Sequence, residues 1–141
     1  TAFKNNELNK DFIAVLPFQG PAHKGMPELH QLTPTLTILQ KKGFRVALVT
    51  DGRMSGASGK VPAAIHMSPE ASKGGSIGKI KTGDLLTLNC IDGTLTCHES
   101  DFEQRATVNK ESTDQIGLGR ELFGVFRRQV TDSEQGACTL F

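Results

Sequence analysis

Arg45-Val-Ala-Leu-Val-Thr-Asp-Gly-Arg-Met-Ser-Gly-Ala-Ser-Gly-Lys-Val61 joins an unbroken apolar run to a polar, glycine-rich loop. Arg45 to Thr50, rich in Val, Leu and Ala, predicts a buried strand. The loop that follows carries an acid (Asp51), two bases (Arg53, Lys60) and two hydroxyls (Ser55, Ser58) among small residues. Polar loops at the end of a rigid strand are where scaffolds carry chemistry. Glycines there allow close approach of backbone and ligand.

Upstream, Phe12 to Leu16 predicts a second short strand, stopped by Pro17. Gln19 to His30 is a loop with two Gly and two Pro. A helix is expected next, with Pro27 in its first turn and Leu29, Leu32, Leu36 and Leu39 facing inward. Pro34 should kink or restart it, and Gly43 should end it. Downstream, Pro62 to Met67 is short and apolar, and Ser76 to Ile80 is expected to be a strand. Asp92-Gly93, set between Leu85–Cys90 and Thr94–Cys97, signals a hairpin. Ser100 to Arg105 reads as a short helix and 107–117 as a polar loop. Leu118, Leu122, Phe123, Phe126 and Val130 mark one side of an amphipathic helix, with the stripe at 118–126 expected in the core. Strands and helices do not alternate regularly, so a doubly wound sheet is not indicated. The reading is a strand-rich, mixed α/β chain with five or more short strands and two or three helices. Residues 1–10 read as a polar linker or frayed terminus, and 11–141 as the domain.

The totals exclude little but are useful. A chain of 141 residues fits one domain with a real core. A net charge of +1 gives no electrostatic reason to expect nucleic acid or a membrane surface. No run of about 18 apolar residues suggests a spanning helix. Cys90, Cys97 and Cys138 lack CxxC spacing, which argues against a zinc or disulfide framework and for reduced thiols in a cytoplasmic protein.

Generic motifs do not explain the loop. A P-loop needs Gly where Met54 stands and Ser or Thr where Val61 stands. Neither Ser55 nor Ser58 has the Gly-x-Ser-x-Gly frame of a nucleophile elbow. Two longer stretches do carry a resemblance. Thr50-Asp-Gly-Arg-Met-Ser-Gly-Ala-Ser-Gly-Lys-Val-Pro-Ala-Ala-Ile-His-Met-Ser-Pro-Glu-Ala71 is similar to the C-terminal signature of the dihydroxy-acid and phosphogluconate dehydratases. Gln19-Gly-Pro-Ala-His-Lys-Gly-Met-Pro-Glu-Leu-His30 resembles that family's second motif. Gly-Arg-Glu-Leu-Phe at 119–123 and Glu-Gln-Gly-Ala at 134–137 are most similar to the phosphogluconate branch.

The resemblance implies a swivelling β/β/α domain, a partly open β-barrel with flanking helices. Family members are several times longer and bind an iron–sulfur cluster, expected to be 4Fe-4S, through cysteines of an N-terminal portion. Those cysteine motifs are not in this sequence, so the chain is expected to be the C-terminal domain alone, inactive by itself. Its implied partners are that N-terminal domain, a sugar-acid phosphate substrate and a second copy in a homodimer.

The implied reaction is β-elimination of water from 6-phosphogluconate, a step of the Entner–Doudoroff route. By the same resemblance Ser55 aligns with the general base, and Glu28 with a carboxylate ligand of a divalent ion, commonly Mg²⁺. A free serine is too weak a base at neutral pH and needs a nearby cation. Oxygen ligands suit a hard ion, although an acid in a first helical turn has a purely structural reading too. Arg53 could hold a carboxylate or phosphate through a two-pronged contact. Ser58 and Lys60 are candidates for substrate oxygens. Asp51 is expected to order the loop through backbone amides. His66 reads as a core histidine, and His23 and His30 as solvent-exposed. Two other readings stay open: a dehydratase of another sugar acid or dihydroxy acid, and a stand-alone anion-binding module.

Overall fold

The computed structural model describes residues 2–54, 59–108 and 120–140. Its centre is β2 (Val46–Thr50), buried along its whole length. β1 (Phe12–Leu16) pairs with it in parallel, from Phe12 opposite Val46 to Leu16 opposite Thr50. A two-residue strand, β3 (Ala63–Ala64), pairs in parallel on the other side, opposite Leu48 and Val49. The sheet order is therefore β1-β2-β3. A central parallel strand is covered on both faces, which is why its sequence is apolar without alternation.

Each face has its own core. Val46 and Leu48 of β2 join Leu36, Leu39 and Val61 on one side, with Phe3 and Leu8 of the first turns packed against them. Val49 points the opposite way, into a cluster with Phe18, Ala71 and Ile77. This split follows the two-residue period of a strand. Burying Leu36 and Leu39 contributes about 1.5–3 kcal/mol each and holds α2 (Leu32–Lys41) to the first face.

α2 starts later than the leucine spacing suggested. Its first residue is Leu32, so Pro34 lies in the first turn, where no backbone N–H is required. Pro34 thus restarts the helix rather than kinking it, and Pro27 and Leu29 lie outside it. Gly43, at φ 97°, follows its end. Pro21–Lys24, within the stretch expected to be loop, forms a single helical turn, α1.

Ser76–Ile80 is not a strand: Ser76–Lys79 is a 3-10 turn that buries Ile77. The reason lies just before it. A Cβ on Gly75 would sit 1.7 Å from the Pro69 carbonyl oxygen, so the chain doubles back against itself here. β4 (Leu86–Asn89) and β5 (Thr94–Cys97) form the expected antiparallel hairpin. Its connection is Cys90–Gly93, with Gly93 at φ 65°. The Asn89 side-chain oxygen accepts from the Ile91 and Asp92 amides at 2.9 and 3.2 Å.

Arg105 ties the base of the hairpin to its flank. Its guanidinium, 9% exposed, grips both oxygens of Asp84 at 2.5 and 3.1 Å and also bonds Asp101 at 2.8 and 3.0 Å. Hydrogen bonds from Arg105 hold the carboxyls of Asp84 and Asp101 below the usual range, and the two carboxylates raise Arg105 in turn.

The last helix, α3 (Arg120–Gln129), overturns one expectation. Its apolar stripe is not core. Leu122, Phe123, Val125 and Phe126 are 65%, 57%, 46% and 38% exposed, while Val130, just beyond the helix, is buried. The helix packs on α1, whose four residues are too short to cover such a face. Leu118 lies outside the described residues. Parallel and antiparallel strands with flanking helices make this a mixed α/β fold, and no closed barrel forms among the described residues.

Candidate active site

The site is built where β1 and β2 end. Asp51, directly after β2, has no exposed surface. Its carboxylate accepts from three backbone amides: Phe18 at 3.0 Å, Gln19 at 2.8 Å and Ala71 at 2.9 Å. Phe18 adopts φ 64°, a left-handed conformation that turns consecutive N–H groups onto one anion. One side chain thereby fastens three segments distant in sequence; Asp51 acts through backbone amides as expected, but through those of other segments rather than of its own loop. Thr50 adds a second tie: its hydroxyl donates to the Leu16 carbonyl at 2.7 Å and accepts from the Gly52 amide at 3.0 Å.

These ties bring the loop after β2 against the segment after β1. Gly52 is required there, because a Cβ would lie 2.6 Å from the Gln19 Cβ. One residue on, Arg53 forms an isolated parallel bridge with Glu28. The Leu29 amide donates to the Arg53 carbonyl at 3.2 Å, and Arg53 Nε donates to the Met26 carbonyl at 2.8 Å. Glu28 and Arg53, 25 positions apart, are thus neighbours with exposed side chains. On the far side of the loop, Val61 is buried in the first core. The chain then runs beside β2 in the same direction, with the His66 amide on the Gly52 carbonyl at 2.9 Å.

A second buried carboxylate was not foreseen. Glu70, 3% exposed, accepts from the Ala22 amide at 2.7 Å and the His23 amide at 3.0 Å, and from the Ser72 hydroxyl. It holds the start of α1, and Gly20 must lack a side chain because a Cβ there would meet Glu70. The only available signal was an acid inside an otherwise apolar and small-residue stretch. The histidines reverse their expected placement. His23 is 7% exposed, with its ring 5.2 Å from that of Phe18, while His66 is exposed, at φ 57°. The His66 amide bonds the Gly52 carbonyl, and the His66 side chain stays exposed. His30 is exposed, as expected.

Arg53 also lines a cavity of about 560 Å³ between α1, the loop and α3. Lys24 and Arg127 share its lining with Phe123 and Phe126. Sequence reasoning missed both cations, because nothing local marks an exposed lysine or arginine as facing a hollow. Lys60 is exposed, its carbonyl accepts from Gln40 of α2 at 3.0 Å, and it is not among the described residues lining this cavity. Ser55 and Ser58 lie outside the described residues.

The ligand chemistry of the chain is limited. No group of three or more His, Cys, Asp or Glu side chains that could hold a metal forms among the described residues. Glu28 suits a hard divalent ion as a single oxygen donor, since Mg²⁺ is often held by only one or two carboxylates. Cys90, Cys97 and Cys138 form no disulfide, and no cluster-binding set forms among the described residues. These residues do not fit an iron–sulfur cluster. No described helix is long and apolar enough to cross a membrane.

Comparison with known proteins agrees with this picture. Residues 1–137 match the family model described as dihydroxy-acid/6-phosphogluconate dehydratase C-terminal. The phosphogluconate dehydratase of Helicobacter pylori (strain ATCC 700392 / 26695) is 55% identical over 141 residues, covering 95% of this chain and 23% of that protein. That of Pseudomonas aeruginosa is 49% identical, covering 98% of this chain and 23% of its own length. The dihydroxy-acid dehydratase of Methanosphaera stadtmanae is more distant, at 34% identity over 96% of this chain and 24% of its own length. The chain therefore spans about a quarter of the length of these relatives.

Proposed function

The chain belongs to the dihydroxy-acid/6-phosphogluconate dehydratase C-terminal family, and from that premise we propose that it is the C-terminal part of a hydro-lyase acting on 6-phospho-D-gluconate. The product is 2-dehydro-3-deoxy-6-phosphogluconate. The observation that carries the reading is the bridge between Glu28 and Arg53, which joins two motifs distant in sequence into one wall. Identities of 45–55% to phosphogluconate dehydratases, against 34% to a dihydroxy-acid dehydratase, favour the sugar-acid substrate.

The elimination removes a proton from C2, beside the carboxylate, and hydroxide from C3, and the resulting enol becomes the 2-ketone. Ser55, first deprotonated to the alkoxide, takes the C2 proton on its Oγ, and the proton then passes to the departing hydroxide, which leaves as water. Arg53 faces the substrate with its terminal N–H groups and offsets the negative charge that develops as the proton leaves. Its Nε is already committed to Met26, which fixes the direction of the fork. Ser58 and Lys60 contact substrate oxygens. Glu28 would provide one carboxylate oxygen to a divalent ion, Mg²⁺. That ion and a 4Fe-4S cluster held by the N-terminal domain would supply Lewis-acid assistance to the departing hydroxide. The assembled enzyme is a cytoplasmic homodimer, and this chain alone is inactive.

The test is Ser55→Ala in the full-length protein, assayed for keto-acid formation from 6-phosphogluconate. Activity should fall at least about 100-fold, in line with the loss of a general base, with the cluster's absorbance intact. Retained turnover would remove Ser55 from the role.

A further inference from the structure

We propose that Glu70 is a positioning residue for the elimination, acting on Arg53 through α1 and the Met26 carbonyl. This rests on the reading of Arg53 as the group that offsets charge in that reaction, and adds what aims it. Glu70 is 3% exposed, and its carboxylate takes three neutral donors: the Ala22 and His23 amides and the Ser72 hydroxyl. A buried carboxylate is costly unless its oxygens are satisfied. The two amides lie 48 and 47 positions away, so satisfying the carboxylate locks α1 against the segment that carries Glu70.

α1 is a single turn, too short to hold itself. The Gly20 carbonyl closes it, accepting from the Lys24, Gly25 and Met26 amides at 3.0, 3.1 and 3.4 Å. Gly25 and Met26 follow at φ 72° and 53°. A left-handed methionine is a conformation that its surroundings must impose. The Met26 carbonyl then accepts from Arg53 Nε at 2.8 Å. From Glu70 to the guanidinium there is thus one helical turn and one carbonyl. The backbone of Arg53 has separate support. The Thr50 hydroxyl accepts from the Gly52 amide, and Asp51 holds Phe18 and Gln19. Loss of the Glu70 contacts therefore frees the fork of Arg53 without releasing the loop that carries it.

The experiment is a double-mutant cycle in the full-length enzyme, with 6-phosphogluconate as substrate. In Glu70→Gln the new NH₂ confronts one of the two amides. The kcat should fall about 100-fold, the cost of a misplaced group, with KM little changed. Arg53→Lys keeps the charge but has no Nε to rest on Met26. In that background Glu70→Gln should lower kcat by less than about 3-fold. The same factor in both backgrounds, which a merely structural Glu70 would give, overturns the proposal, as does an unchanged kcat in Glu70→Gln alone. If Glu70→Gln does not fold, Ser72→Ala, which removes only the hydroxyl donor, carries the same cycle. A loss in kcat that disappears with Arg53→Lys supports the link, and no loss, or one independent of Arg53, overturns it. If the wild type does not dehydrate 6-phosphogluconate, the functional reading fails by itself. The link is then judged in the 141-residue chain by the ¹⁵N resonance of Arg53 Nε, identified by its loss in Arg53→Lys. Glu70→Gln should shift that resonance and Lys42→Gln should not. A resonance unmoved by Glu70→Gln overturns the link.

Discussion

Replacing Asp51 by Asn should cost the chain much of its stability, although the change alters only one heavy atom. All three partners of this side chain are backbone N–H donors, so an acceptor is wanted on both oxygens. Oδ2 serves Phe18 and Ala71, and Oδ1 serves Gln19. In its better orientation the Asn oxygen keeps the first pair, and its NH₂ then confronts the Gln19 amide. One buried donor left unsatisfied costs about 1–3 kcal/mol. The two surviving bonds lose their charged acceptor, at about 1 kcal/mol each. The total is about 3–5 kcal/mol, a large share of the 5–15 kcal/mol typical of a folded domain. Urea unfolding of the 141-residue chain is the assay. With a slope of about 2 kcal/mol per molar, the midpoint should fall by about 1.5–2.5 M. Amide exchange should show Phe18, Gln19 and Ala71 losing protection ahead of β2. A midpoint shift below about 0.3 M would refute the idea that this carboxylate fastens the three segments.

Gly75→Ala should destabilise by at least about 3 kcal/mol, since overpacking costs 1–3 kcal/mol where neighbours can yield and here the neighbour is a backbone carbonyl; the thermal midpoint reads it. Leu122→Ser should change stability by less than about 0.5 kcal/mol, whereas Leu39→Ala, fully buried, should cost about 2–5 kcal/mol; equal losses in denaturant titrations would put α3 back in the core. Asp84 and Asp101 have lowered folded values. Their contribution is therefore present above the unfolded carboxylate value of about 3.9 and lost as pH falls through the folded ones. In Arg105→Gln the decline of the urea midpoint from about pH 5 to pH 2 should be shallower than in the wild type; matching slopes would mean that Arg105 does not hold these carboxylates.

What could be read from sequence follows the range of the interaction. β1, β2 and the hairpin were legible because apolar runs and Asp92-Gly93 are local signals. Ser76–Ile80 misled, because the contact that sets its shape is between Gly75 and Pro69, not a propensity of the segment. The resemblance supplied Glu28 and the chemistry of the loop supplied Arg53, yet their adjacency depends on an isolated bridge that no periodicity announces. Glu70 drew no reading from sequence, since its burial is decided by amides contributed from α1, more than forty positions away. The stripe on α3 shows the limit of amphipathic patterning. It marks which face is apolar and says nothing about what, if anything, covers it.

The loop after β2 has two immobile ends. Asp51 and Gly52 are pinned to the segment after β1, and Val61 is buried beside Leu48 and α2. Frame and payload are therefore separable. Residues 55–59 are the piece open to exchange as a cassette, since Met54 packs against the first core and the Lys60 carbonyl accepts from Gln40. A family so built can change the chemistry of its loop by ordinary point mutation while the scaffold that aims it stays constant. Directed evolution of substrate range has its natural address between Arg53 and Val61.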